Sequence, residues 1–242
     1  MDRLWSTCSG CNRRFLQAFT WLASHAIPSM QAAPISERTL ETARGCIGRV
    51  ASVFLAHRRE STAREVREVD LTWVGVRGDR HASAQRAADA RTPWHPKGCQ
   101  IANTRHVSIV SLEECAELAA LLGLPTITPD LLSANIACTA VAGLSSLPPS
   151  SLLQFPSGAT IYVTDPNEPC RKAGRALAKA YNRSDLDLAF PRIACGRRGV
   201  VGIIERQGLV HAGDEFRVIR PRSRSPDPVQ PVSGTDGRRV HS

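Results

Sequence analysis

Apolar and polar positions change rhythm several times along the 242 residues, and each change marks an expected element. The segment "CIGRVASVFLA" (residues 46–56) alternates imperfectly and is rich in β-branched residues, while "EVREVDLTWVGV" (residues 65–76) alternates more regularly. Both read as strands, paired as a hairpin across the polar "HRRESTAR". "RHVSIVS" (residues 105–111) is a further strand that runs into "SLEECAELAALLG", where Ser111 and Glu114 have the spacing of a capping box, apolar residues recur every three and four, and Gly123 stops the helix. "SANIACTAV" and "ATIYVTD" read as strands, with "PPSSLLQFPSG" as a turn-bounded connector between them. A basic helix is expected from Arg171 to Tyr181, and two closing strands, residues 199–206 and 215–219, are joined by the turn-rich "QGLVHAGD". Many short strands with few helices predict a mainly β fold with some α: a small barrel or sandwich decorated by helices, not a doubly wound sheet.

Those elements fill residues 45–220, which are expected to form one domain. Residues 1–44 contain "RRFLQAFTWLASHAI", a weakly amphipathic stretch that reads as a disordered extension, with an organellar presequence as the alternative. Residues 221–242 are rich in Pro, Ser and Arg without apolar periodicity and read as a disordered tail. No apolar run approaches the roughly 20 residues that span a bilayer, so no membrane span is expected and the chain reads as cytoplasmic, or mitochondrial if the presequence is real.

Net charge is +9, of which each terminal segment carries +2 and the middle +5, so the predicted domain is basic in its own right. That balance suits an anionic ligand such as a phosphate-bearing cofactor. Nucleic acid is not expected, because the basic residues are scattered and no zinc-finger, RNP-like or basic-zipper pattern occurs. The eight cysteines are irregularly spaced, and Cys115 and Cys138 sit in apolar patterns where a thiol packs as a small hydrophobe, which together point to a reducing compartment. "CSGC" (Cys8 and Cys11) has no second pair at ligand spacing and reads as incidental.

Cys170 is different. It follows Pro169 and opens the basic helix, where the helix dipole, Arg171 and Lys172 all favour a thiolate. "GVRGDRHA" ends a strand in a Gly-Asp turn and presents Arg80 and His81, while "NTRHVSIVS" brings Arg105 and His106 to a strand start after the irregular stretch 83–104. Two Arg-His pairs at strand ends are expected to converge on one anion, the alternative being solvated turn charges. Arg197 and Arg198 lie in a glycine-flanked turn whose amides could also cradle phosphate, and Asn135 reads on its own as a polar turn residue.

Taken in order, "GRVASV", "GDRHA", the "RHVSIVS" strand with its acidic helix, "ANI", "VTDPNEPC" and "RRGVVGIIERQGLVHAGDEFRVI" resemble the MOSC family, named for the C-terminal domain of molybdenum cofactor sulfurases. The resemblance covers residues 45–220 and implies a barrel-like fold with a pocket for the molybdenum cofactor (molybdopterin), a pyranopterin with a terminal phosphate. It puts Cys170 at the position of a molybdenum ligand or sulfur carrier, with Arg80, His81, Arg105, Asn135, Arg171 and Arg198 as cofactor-binding residues. One departure is Ala134, where many members have glutamate. The implied function is an oxidoreductase that reduces an N-hydroxylated or N-oxide small molecule at molybdenum, with electrons from an external donor. The alternatives are a sulfur carrier holding a persulfide on Cys170, fed by a cysteine desulfurase, and a non-catalytic anion- or cofactor-binding module.

Overall fold

The computed structural model describes residues 46–57 and 62–221. The expectations for residues 1–44, including the Cys8–Cys11 pair, and for the tail beyond residue 221 lie outside the described residues.

The main sheet has eight strands, seven of which close into a barrel. Around the barrel run β13 (Glu215–Ile219), β9 (Leu152–Gln154), β10 (Thr160–Pro166), β11 (Val200–Arg206), β7 (Val107–Ser111), β8 (Ile136–Thr139) and β1 (Cys46–Leu55). Closure is the antiparallel pairing of β1 with β13, in register Cys46↔Val218. The imperfect alternation of β1 has a simple cause: its register against β8 shifts between Val50 and Ser52, so Ala51 is an extra residue. Val50 and Val53 therefore both face the barrel core although three positions apart, and Phe54 turns to the opposite face.

The second predicted strand is interrupted. β2 (Arg64–Val66) pairs with the end of β1 as expected, but the chain then bends at Arg67. β3 (Glu68–Thr72) leaves to pair with β4 (Gly75–Val76) and with β12 (Gly208–His211), a strand inside the stretch read as a turn. β9 likewise lies inside the predicted connector, held by β10 and β13. β5 (Gln85–Ala87) and β6 (Gln100–Ala102) form a separate hairpin within the irregular stretch.

β7 and β8 are parallel, and the crossover between them carries helix α1 (Leu112–Leu122). Ser111 caps it by accepting from the Glu114 amide (3.3 Å), and Gly123 ends it at φ 62°. The capping box is only half formed. Glu114 turns away and accepts from the amide (2.9 Å) and hydroxyl (2.6 Å) of Ser145, while Ser111 donates to Glu113 instead. Helix α2 (Arg171–Tyr181) has the predicted bounds, and α3 (Leu186–Ile193), which no pattern announced, packs on it. Gly174 permits that contact: a Cβ there would stand 2.8 Å from the Leu186 carbonyl oxygen and 2.9 Å from that of Asp187. Two cores result. Val50, Ile109, Ile136, Leu153 and Phe216 fill the barrel, while Leu118, Leu132, Leu177 and Phe190 join the three helices to its outer wall.

Candidate functional site

A buried carboxylate organises the turn after β4. Asp79 accepts on Oδ2 from the Ala56 amide (3.0 Å) and the Asn135 side-chain amide (3.0 Å), and on Oδ1 from the His81 amide (2.8 Å), with His81 Nδ1 at 3.0 Å. Burial alone pushes this carboxyl up, but the bonds from His81 and Ala56 and the His81 charge hold it below the usual carboxylate range. The turn so fixed presents Arg80 and His81. Arg80 Nη2 donates to the Ser133 hydroxyl (2.8 Å), and Ser133 sits at φ 54°, a left-handed conformation uncommon for a residue with a side chain.

Across the opening, Asn103 accepts from the Arg105 amide (3.1 Å) and donates to the carbonyls of His81 (3.1 Å) and Ser83 (3.0 Å), so it joins both Arg-His segments. Arg105 Nη2 donates to Asn167 Oδ1 (2.8 Å), and Asn167 donates in turn to the Ser108 hydroxyl (2.9 Å). Burial and then the neighbouring Arg91 charge push the Arg105 guanidinium down from its usual value. His106 is only 8 % exposed, with no partner for Nδ1 among the described residues, and burial pushes its pKa down.

Cys170 is the N-cap residue of α2, half-buried, and its sulfur makes no side-chain capping bond. Burial pushes the thiol up. Against this act the Ala173 amide, the Arg198 charge, the Lys172 amide and the Arg91 charge, and the balance leaves the thiol below its usual value. Cys115 and Cys138 are pushed up to about 12, by burial first and neighbouring carboxylates second. Arg198 comes from the turn before β11. It is 8 % exposed and burial pushes it down to about 10, so it stays protonated at neutral pH. Its Nη2 donates to the Leu132 carbonyl (2.8 Å), while its Nε has no partner among the described residues. Gly199 brings this turn against β7, since a Cβ there would lie 1.9 Å from the Ile109 carbonyl oxygen.

Arg80, Arg105, Cys170, Lys172 and Arg198 share one cavity of about 630 Å³, lined also by Arg86 and Arg91 from the β5–β6 hairpin; His106, of the second Arg-His pair, is not in its lining. Its carboxylates are Asp89 and Asp130, and Asp89 is engaged by Arg91 (2.9 Å) and Arg86 (3.7 Å), so positive charge predominates. His81 and Asn135 also line it, but the Asn135 amide is engaged at both ends, by Asp79 and by the Ser108 amide (3.1 Å). Arg171 is not in the lining. It points to α3 and pairs with Asp187, because successive helical residues project about 100° apart, and Lys172 takes the cavity side instead. Ala134 is fully buried among the helix-side apolar residues. Sequence reasoning missed Arg86, Arg91, Asn103 and Asn167, and it quoted Asp79 without giving it a role. The length of the irregular stretch was the one signal that pointed to the hairpin arginines.

A closed β-barrel flanked by three helices, with a cysteine–arginine cavity at the start of α2, defines the class of protein. The MOSC domain model matches residues 96–217, and the chain belongs to the MOSC domain family. It is 38 % identical over 167 residues to YuaD of Bacillus subtilis (strain 168), a protein provisionally named for metal-sulfur cluster biosynthesis, covering 69 % of this chain and 87 % of YuaD. The crystal structure of B. subtilis YuaD superposes with a TM-score of 0.71 at 36 % identity, over 73 % of this chain and 97 % of that one. That of YiiM from Geobacillus stearothermophilus shares the fold at a TM-score of 0.50 and 12 % identity, over 72 % and 75 % of the two chains. No helix among the described residues is long and apolar enough to cross a membrane.

Proposed function

We propose that the cavity binds the molybdenum cofactor and presents Cys170 to it as a thiolate ligand, making the chain an oxidoreductase for N-hydroxylated or N-oxide substrates that takes electrons from an external donor. One observation carries this reading: the Cys170 thiol, held below its usual pKa, shares a predominantly cationic cavity with Arg198, a buried guanidinium whose Nε has no partner among the described residues. The residues fit an anionic, sulfur-liganded group. Arg80, His81 and Arg105 would take the phosphate, Arg198 would balance the charge near the sulfur, and Cys170 would ligate the metal. Among the described residues no three His, Cys, Asp or Glu side chains gather as a metal cage, so the remaining metal donors would come from the cofactor itself. Bound there, the cofactor supplies a centre able to remove an oxygen atom from nitrogen. The chain's own part is to hold the anion, favour the Cys170 thiolate and leave room in the cavity for a small substrate.

The test is molybdenum and pterin analysis of full-length protein made in a host that supplies the cofactor. Stoichiometric molybdenum that is lost in Cys170→Ser supports the reading, and a metal-free wild-type protein removes it. The provisional name of YuaD favours a second reading, in which Cys170 carries a persulfide received from a cysteine desulfurase for the assembly of metal-sulfur centres. Its mark is an additional sulfur atom on the Cys170 peptide in mass spectra.

A further inference from the structure

Arg198 lines the cavity that holds Cys170; its Nη2 donates to the Leu132 carbonyl, and its buried Nε–H has no acceptor among the described residues. A buried charged donor without an acceptor among the described residues is costly, and an anion in the cavity that draws the Arg198 guanidinium toward it would relieve that cost. Cys170, Lys172 and Ala173 at the start of α2 line the same cavity, and a helix N-terminus favours negative charge. Arg91 and Lys172 line the cavity nearby. The anion expected beside Cys170 therefore carries more than one acceptor oxygen, and the sulfur can reach it.

We infer that the cavity binds small sulfane-sulfur oxyanions, thiosulfate being the simplest, and that Cys170 takes their outer sulfur. This rests on the persulfide reading of the site and names a small-molecule donor for it. The Cys170 thiolate attacks the outer sulfur of thiosulfate, a Cys–S–S bond forms, and the S–S bond of thiosulfate breaks with its electron pair leaving on sulfite. No proton and no external oxidant or reductant is needed: a thiolate and a dianion give a persulfide anion and a dianion. The leaving sulfite carries two negative charges in a cavity lined by Arg91, Lys172 and Arg198, which is where stabilisation of the transition state is required. A protein donor would have to bring its own cysteine to a half-buried sulfur, whereas a cavity of about 630 Å³ admits a small dianion freely.

The experiment exposes the full chain to thiosulfate alone, then adds cyanide as sulfur acceptor and measures thiocyanate, with the Cys170 peptide followed by mass spectrometry. The expected result is one added sulfur on Cys170, catalytic thiocyanate formation, and none in Cys170→Ser. Arg198→Gln, shown by circular dichroism to be folded, should lose at least about tenfold in kcat/KM for thiosulfate. Arg198→Lys should recover part of it, which a purely structural arginine would not predict. Cys195→Ser should behave as wild type. Turnover that survives Cys170→Ser overturns the inference. Persulfide on Cys170 with a cysteine desulfurase and free cysteine, but none with thiosulfate, overturns the small-molecule donor and leaves the carrier reading standing. Persulfide from neither source removes both.

Discussion

Asp79 Oδ2 lies 3.0 Å from the side-chain nitrogen of Asn135, and that bond ties the turn carrying Arg80 and His81 to the start of β8. Because Asp79 also accepts from the Ala56 and His81 amides, Asp79→Ala strands several buried donors at once. The variant should lose about 2–4 kcal/mol of stability in urea unfolding. The pH dependence has a definite sign. The folded carboxyl lies below its usual value, so its stabilisation is complete above the unfolded-state pKa of about 4 and is lost as pH falls through the folded value. Asp79→Asn should flatten that acid limb, and an unchanged acid unfolding curve would show that the carboxylate is not what holds the turn.

Alkylation should separate the cysteines by environment. Cys170, with its thiol below the usual value, should react fastest among the described cysteines and keep reacting as pH falls below the point where an ordinary thiol protonates. Cys115 and Cys138, buried and pushed up to about 12, should stay unmodified until the protein unfolds. Cys195 is exposed and is the control for access. Peptide-resolved iodoacetamide labelling between pH 5 and 9 gives the order, and faster labelling of Cys195 at the acid end would transfer the reactive role to it.

Arg80 and Arg105 both line the cavity and are held by Ser133 and Asn167. Replacing either by alanine should weaken binding of the phosphate-bearing cofactor by about ten- to a hundredfold, or roughly 1.5–3 kcal/mol, through loss of charge-assisted hydrogen bonds. Cofactor retention after gel filtration measures this. Retention equal to wild type in both variants would place the phosphate elsewhere in the cavity.

A fragment from Ala43 to Pro221 should fold with nearly the stability of the whole chain, because Cys46 pairs with Val218 and the barrel closes within it. Limited proteolysis should stop near those bounds. A fragment beginning at Ser52 should not fold, since it loses the part of β1 that pairs with β13. A melting temperature for the longer fragment far below that of the full chain would mean that the N-terminal "FLQAFTWL" segment adds to the core.

What could be read from the sequence is what nearest neighbours along the chain decide. Ser111 and Gly123 bound α1, and the polar start and basic face of α2 follow from a few consecutive residues, because helix caps and periodicity are local. The order of the motifs from "GDRHA" to "VTDPNEPC" was enough to read the family. Tertiary structure decided the rest by bringing together groups far apart in sequence. Glu114 leaves the reciprocal half of its capping box because Ser145, 31 positions away, offers a buried hydroxyl and amide. β9 and β12 are too short to show a pattern and exist as strands because neighbouring strands satisfy their backbones. α3 contains Pro191, which argues against a helix, yet it is held by the close contact that Gly174 allows. At the site, rotation about the α2 axis put Lys172 in the cavity lining instead of Arg171, and the fold set Arg198 in the same lining as Cys170, with no partner for its Nε among the described residues. Local sequence can place a charge on an element, but only packing determines which charges lose their water and must find a ligand.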